Sequence, residues 1–165
     1  NLLGAEGQGW HVAMATAGFE RGLLLRSPAR FQQTARRLVD LYKANPQVAE
    51  RDPGVRDAVI ESWMGAEAYA HAAYHTVGLV EKGAKIGAEA SINKVIWSEL
   101  DLKMHETAMR ILGPYGELTG QAPEAVDHGS WLEGFLFAQA GPIYAGTNEI
   151  QRNIIAERML GLPKA

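Results

Sequence analysis

The chain has 165 residues, a formal net charge of −3 and no cysteine. That length suits one domain, burying roughly 70% of the surface its unfolded form exposes, and the charge offers no basic footprint for nucleic acid. The missing cysteine excludes disulfides, thiolate metal sites and a cysteine nucleophile, and it accords with a reducing compartment.

Residues 1 to 9 form a glycine-rich lead-in. From Trp10 to about Ala44, Val12, Ala13, Ala17, Leu24, Leu38, Leu41 and Tyr42 recur at helical spacing. Ser27-Pro28 interrupts that run, either as a kink or as the N-cap and first position of a second helix. Asn45-Pro46 closes the segment, and Asp52-Pro53 is expected to cap and open a long helix reaching about Lys82. Gly83 and Gly87 flank a short linker. Ala88 to about Leu112 reads as a third long helix, stopped by Gly113-Pro-Tyr-Gly116. A loop with a turn of helix is expected over 113–129, then a short apolar helix from Trp131 to Gln139 and a last helix from Thr147 to Leu160. No strand alternation or repeat stands out, so the expected class is all-α, an up-down helical bundle. No run approaches the roughly 18 apolar residues of a membrane span, and the start lacks a signal peptide's pattern, so the expected protein is soluble and cytoplasmic.

The most informative stretch is Gly141-Pro-Ile-Tyr-Ala-Gly-Thr-Asn-Glu-Ile-Gln-Arg152. Glycines and a proline make a turn, and Thr147 stands at a helix N-cap ahead of Ile150, Ile154, Ile155 and Leu160. Such a loop delivers backbone N–H groups to a helix start, which suits an anion or a polarised carbonyl oxygen, while a plain capped surface helix explains the same residues. Glu67, His71 and His75 have a spacing that could ligate zinc, but the segment reads as an ordinary bundle face and no metal is expected. His105 and His128 are isolated, and the tryptophans at 10, 63, 97 and 131 read as core or interface anchors.

The run Ile143 to Arg152, with Ile155-Ala-Glu-Arg158, resembles the C-terminal signature of acyl-CoA dehydrogenases, the flavoenzymes that desaturate acyl thioesters. The likeness extends from Gly4-Ala-Glu-Gly-Gln-Gly-Trp10 through Ala90-Ser-Ile-Asn-Lys94 and Ile111-Leu-Gly-Pro-Tyr-Gly116, and is weakest between about Ser27 and Arg56. The resemblance implies that residues 1–165 are the helical C-terminal domain of a larger FAD enzyme. An N-terminal helical domain and a middle β-domain would complete its pockets, so the fragment alone is expected to be inactive. Relatives assemble as dimers or dimers of dimers, which implies a homo- or hetero-oligomer here.

Desaturation needs a carboxylate to take the α-proton, donors to the thioester oxygen, and a flavin, because no side chain accepts a hydride. In one branch of the family the base follows the signature tyrosine, where this chain has Ala145. A second branch, similar to the isovaleryl and long-chain enzymes, places it on the first helix of this domain; the matching motif is Phe19-Glu20-Arg21. Glu20 is therefore the expected base. Its helical neighbours Thr16, Ala17, Leu23 and Leu24 are small or apolar and would raise its pKa once covered, whereas a solvent-exposed Glu on an amphipathic helix fits the same pattern.

Arg21 matches a position that contacts the CoA moiety in relatives, and it could also bridge to an acidic neighbour. The N–H groups of Ala145 and Gly146 would polarise the thioester carbonyl. Thr147 and Glu149 match FAD-contacting positions, although Glu149 also suits the positive end of a helix. Arg110, Gly113 and Pro114 match a segment reaching the adenosine end of FAD from a neighbouring subunit; Arg110 could instead pair with Glu106. Where relatives carry a flavin-holding Arg-x-x-Phe-Gly segment, this chain has Tyr42-Lys-Ala-Asn-Pro-Gln-Val48. Some bacterial members divide cofactor and catalytic positions between two chains, so a catalytically silent partner subunit is the alternative reading. A helical interaction module without redox chemistry is another.

Overall fold

In the computed structural model the chain is all-α. The structure describes residues 2–23, 26–84 and 87–164, with the side chains of residues 17–23 outside that description. Among the described residues seven α-helices follow one another: α1 (Gly9–Leu23), α2 (Pro28–Ala44), α3 (Val48–Arg51), α4 (Val55–Glu81), α5 (Glu89–Leu112), α6 (Ser130–Ala138) and α7 (Asn148–Arg158). Short 3-10 turns at Gly113–Glu117 and Val126–Gly129 link α5 to α6. None of these helices is long and apolar enough to cross a membrane.

Ser27-Pro28 separates two helices. Pro28 occupies the first position of α2, where its missing N–H costs nothing and its fixed φ suits the helix. Asn45 ends α2 by folding its side-chain amide back onto the Leu41 carbonyl at 2.8 Å. The next helix opens later than the Asp52-Pro53 pair suggests: a four-residue turn, α3, comes first, and α4 starts at Val55 behind Gly54. Asp52 does not cap α4 with its side chain because that carboxylate is committed to Arg110, with two bonds of 2.8 Å.

The bundle is built around α5. Fourteen of its 24 residues are buried, more than one apolar stripe can account for, and α1, α2, α4, α6 and α7 all pack on it. Half of those buried residues are polar, so the core needs polar contacts as well as apolar ones. Asp101 receives Arg30 of α2 at 2.8 Å, and Asn93 donates to Thr76 of α4 at 3.2 Å. Tyr69 of α4 donates its hydroxyl to the Arg26 carbonyl at 2.8 Å; its burial pushes the phenol pKa up to about 12. Trp97 and Trp131 are core residues, as expected, whereas Trp10 is 72% exposed and Trp63 38%.

His105 shows how tightly α6 approaches this helix. Its Nδ1 lies 2.8 Å from the Asp101 carbonyl, the geometry of a donated N–H, and its ring packs edge-on against Trp131. A Cβ at Gly134 would stand 2.3 Å from His105 Nε2, so α6 closes on α5 only because residue 134 has no side chain. Gly134→Ala is therefore expected to cost about 1–3 kcal/mol by overpacking. Most of that cost should vanish when His105 is already Ala, a coupling that urea unfolding of the single and double variants measures.

Candidate functional site

After α6 the chain turns sharply. The N–H of Gly141 bonds the Ala138 carbonyl at 2.9 Å, those of Ile143 and Tyr144 bond the Ala140 carbonyl at 3.0 Å, and the Asn148 N–H returns to the Pro142 carbonyl at 2.9 Å. Closing so small a loop puts Ala145 at φ +54° and Gly146 at φ +84°. For an alanine that left-handed conformation costs roughly 1–2 kcal/mol, so surrounding contacts must hold it. Gln151 does so from the first turn of α7, donating Nε2 to the Ala145 carbonyl at 3.0 Å. A Cβ at Gly146 would lie 2.6 Å from the same Nε2, so a side chain there would displace the Gln151 amide from the turn.

Thr147 is the N-cap of α7, and its hydroxyl accepts from the Ile150 N–H at 3.4 Å. With the loop carbonyls occupied by Gln151 and the Pro142 carbonyl by Asn148, the N–H groups of Ala145 and Gly146 have no acceptor among the described residues. Both residues are exposed. A pair of exposed donors without acceptors at a helix N-terminus is a place for a negatively charged or strongly polarised oxygen.

A second layer pins the loop to α5. Lys94, fully buried, donates its ammonium to Asn148 Oδ1 at 2.6 Å, and Ser98 Oγ donates to the same oxygen at 3.2 Å. Asn148 Nδ2 in turn donates to Glu99 Oε1 at 3.1 Å, an oxygen also held by Arg152. Burial pushes the Lys94 ammonium below the usual lysine range, opposed by Glu149 and Glu99. The Glu149 carboxyl is held below its ordinary value by its own backbone N–H and the Thr147 hydroxyl, with Arg152 and Lys94 adding to the effect.

The predicted residues fall into three places. Ala145, Gly146, Thr147 and Glu149 share the loop and first turn of α7. Arg110, Gly113 and Pro114 lie at the C-terminal end of α5, where Arg110 pairs with Asp52 rather than with Glu106. There Arg51 donates to the Arg110 and Ile111 carbonyls at 2.9 and 3.0 Å, closing the helix end beside Gly113. Sixteen residues separate Lys94 from Arg110 on α5, roughly 24 Å of helix at 1.5 Å per residue, so one chain does not bring these two groups together. Glu20 and Arg21 belong to α1, which packs on α5, but their side chains lie outside the described residues, and Leu24 does so entirely.

Glu67 of the histidine row accepts a bond from Gln32 at 2.9 Å, and no group of three potential metal ligands occurs among the described residues. Lys94, Ser98, Asn148 and Gln151 were missed by the sequence reading. One signal was present: Ala90, Lys94, Trp97, Asp101, Met104 and Ala108 follow one helical stripe, and a lysine on an otherwise core-facing stripe marks a buried charge that must have a partner.

Because Glu149 has a depressed pKa, its carboxylate stabilises the start of α7 in full above the ordinary glutamate value of 4.5, and that stabilisation is lost as the pH falls through the lower folded value. Glu149→Gln should therefore be less stable than wild type at pH 7 and equal to it once the wild-type Glu149 carboxyl is protonated. Thermal unfolding across the acid range is the measurement.

The description "Acyl-CoA dehydrogenase, C-terminal domain" fits residues 7–160. Acyl-CoA dehydrogenase IpdE1 of Mycolicibacterium smegmatis is 36% identical over 99% of this chain, which spans 39% of that relative's length. Among solved structures, a Tcur3481-Tcur3483 steroid ACAD superposes with a TM-score of 0.82 at 25% identity, covering 98% of this chain and 42% of that one. The ChsE4-ChsE5 complex from Mycobacterium tuberculosis superposes with a TM-score of 0.69 at 25% identity, covering 84% of this chain and 37% of its own. The match over residues 7–160, the 36% identity to a relative across nearly the whole chain and the all-helical bundle place this chain in the acyl-CoA dehydrogenase family, as its C-terminal domain.

Proposed function

We propose that this chain is the C-terminal domain of an FAD-dependent acyl-CoA dehydrogenase that forms an α,β-double bond in an acyl-CoA thioester. The observation that carries the reading is the pair of N–H groups at Ala145 and Gly146, without acceptors among the described residues and held in a left-handed turn by Gln151. The α-proton of a thioester becomes acidic only when its carbonyl oxygen is stabilised as negative charge develops. Fixed donors in a site from which water is excluded supply that stabilisation, each worth about 100- to 1,000-fold in rate.

Glu20 takes the α-proton on its carboxylate. A carboxylate covered by the acyl chain and by the further domains we assign to the whole enzyme is disfavoured as a charge, which suits it to accepting a proton. Arg21, next to it on α1, binds the CoA moiety. The chemistry that FAD would supply there is acceptance of the hydride from the β-carbon. Two parts of the chain would hold such a group: the Thr147 hydroxyl and Glu149 at the α7 N-terminus, and the turn of Gly113 and Pro114 at the far end of α5, where the Arg110 guanidinium is paired with Asp52. Lys94, which anchors the first group through Asn148, lies roughly 24 Å along α5 from Arg110 in the second, and we assign the two groups to different cofactors, which requires at least a dimer. We assign the enzyme to the cytoplasm.

One observation favours a second reading, in which the chain is the non-catalytic half of a two-chain enzyme. The segment standing in place of a flavin-holding arginine is spent on structure, with Asn45 capping α2 and Val48 buried at the start of α3. Two of the solved structures that this chain resembles are described by paired names.

The full-length protein, prepared with and without any neighbouring dehydrogenase chain, is mixed anaerobically with a panel of acyl-CoA thioesters while flavin absorbance is followed. The expected result is bleaching by wild type and a loss of about 100- to 10,000-fold in rate for Glu20→Gln, with substrate still bound. If flavin is held only with a partner chain and Glu20→Gln is harmless, the second reading replaces the first.

A further inference from the structure

Lys94 is the most deeply buried charge among the described residues, and nothing in the proposed chemistry uses it. Its placement is not economical for stability alone. Removing an ammonium from water costs several kcal/mol, and an apolar side chain of similar volume is often as stable in such a position. Methionine would fill the space between α5 and α7 without that cost. The ammonium does something methionine cannot: it pulls a neutral carbonyl oxygen, Asn148 Oδ1, to 2.6 Å.

Asn148 stands where displacement matters most. It is the first residue of α7, three positions after Ala145 and two after Gly146. Its own N–H closes the turn onto the Pro142 carbonyl at 2.9 Å. Its side chain is gripped by a six-residue stretch of α5 through Lys94, Ser98 and Glu99. Moving Asn148 therefore moves the turn whose peptide donors lie just before it. Gln151 fixes the internal shape of the turn, whereas Lys94 fixes its position relative to the bundle.

We propose that Lys94 is a positioning residue: acting through Asn148, it sets where the Ala145 and Gly146 N–H groups stand relative to the acyl thioester. The inference rests on the oxyanion role proposed above for those groups. A misplacement of about 1 Å in such donors is enough to lose on the order of 100-fold in rate.

The test uses the full-length protein as wild type, Lys94→Met and Asn148→Ala, which break the same link from opposite sides. Amide hydrogen exchange is read over residues 143–151, with α2 as an internal control, and kcat per bound flavin and KM are read for the best acyl-CoA of the panel. The expected result is at least a tenfold rise in exchange over the loop with α2 unchanged. In the same variants kcat per flavin should fall about 10- to 100-fold with little change in KM. A purely structural lysine would lower stability or flavin content and leave kcat per bound flavin at the wild-type value. That result, or unchanged loop exchange in a folded variant, overturns the proposal. Should wild type reduce no flavin with any thioester, the functional reading fails by itself. Loop exchange then decides the clamp: a rise supports it and no change refutes it.

Discussion

The contact between the Lys94 ammonium and the Asn148 side-chain carbonyl joins the two parts of this molecule that matter most. On one side is α5, the helix around which the bundle is assembled; on the other is the turn whose two peptide N–H groups have no acceptor among the described residues. A charge buried in a protein interior must be paired or well hydrogen-bonded, and here the partner is neutral. The attraction therefore acts as a directional tether rather than an ion pair. Glu99 and Glu149 supply the compensating negative charge from a short distance, one through Asn148 and the other from the opening turn of α7.

This tether also explains why an alanine tolerates a left-handed backbone. Ala145 would relax toward an ordinary conformation if the turn were free, but its two flanks are fixed. Tyr144 is anchored through the Arg26 guanidinium, which donates to its hydroxyl at 2.9 Å and lies over the Trp97 ring at 5.1 Å. Asn148 is anchored by Lys94. Between those two points the chain has few residues in which to reverse direction, and consecutive positive φ angles at Ala145 and Gly146 do so. The strain is thus a consequence of tertiary anchoring, and its product is a pair of exposed residues whose N–H groups have no acceptor among the described residues.

A polar core of this kind resists the usual reading of helical periodicity. In α2 the buried positions Phe31, Ala35, Leu38 and Leu41 are all apolar and follow a simple stripe. In α5 the equivalent stripe interleaves Lys94, Asp101 and His105 with Trp97 and Met104. Each polar residue there is matched to another helix: Lys94 to α7, Asp101 to α2, and His105 to the open backbone of α6 at Gly134. Such pairings join residues dozens of positions apart, so no local window of sequence contains both partners.

The sequence by itself determined the all-helical class, the ends of most helices and the Thr147 cap, because these depend on apolar spacing and on Pro, Gly and Asn chemistry within a few residues. It also carried the family signature at Ile143 to Arg152. Tertiary structure decided that Ser27-Pro28 separates two helices, and that Asp52 serves Arg110 instead of opening α4. It likewise decided that the donor loop is held by Lys94, Ser98 and Gln151. The physical reason is the same in each case. A carboxylate, amide or ammonium can satisfy its hydrogen bonds locally or across the bundle, and only the packed arrangement of helices fixes which partner comes within 3 Å.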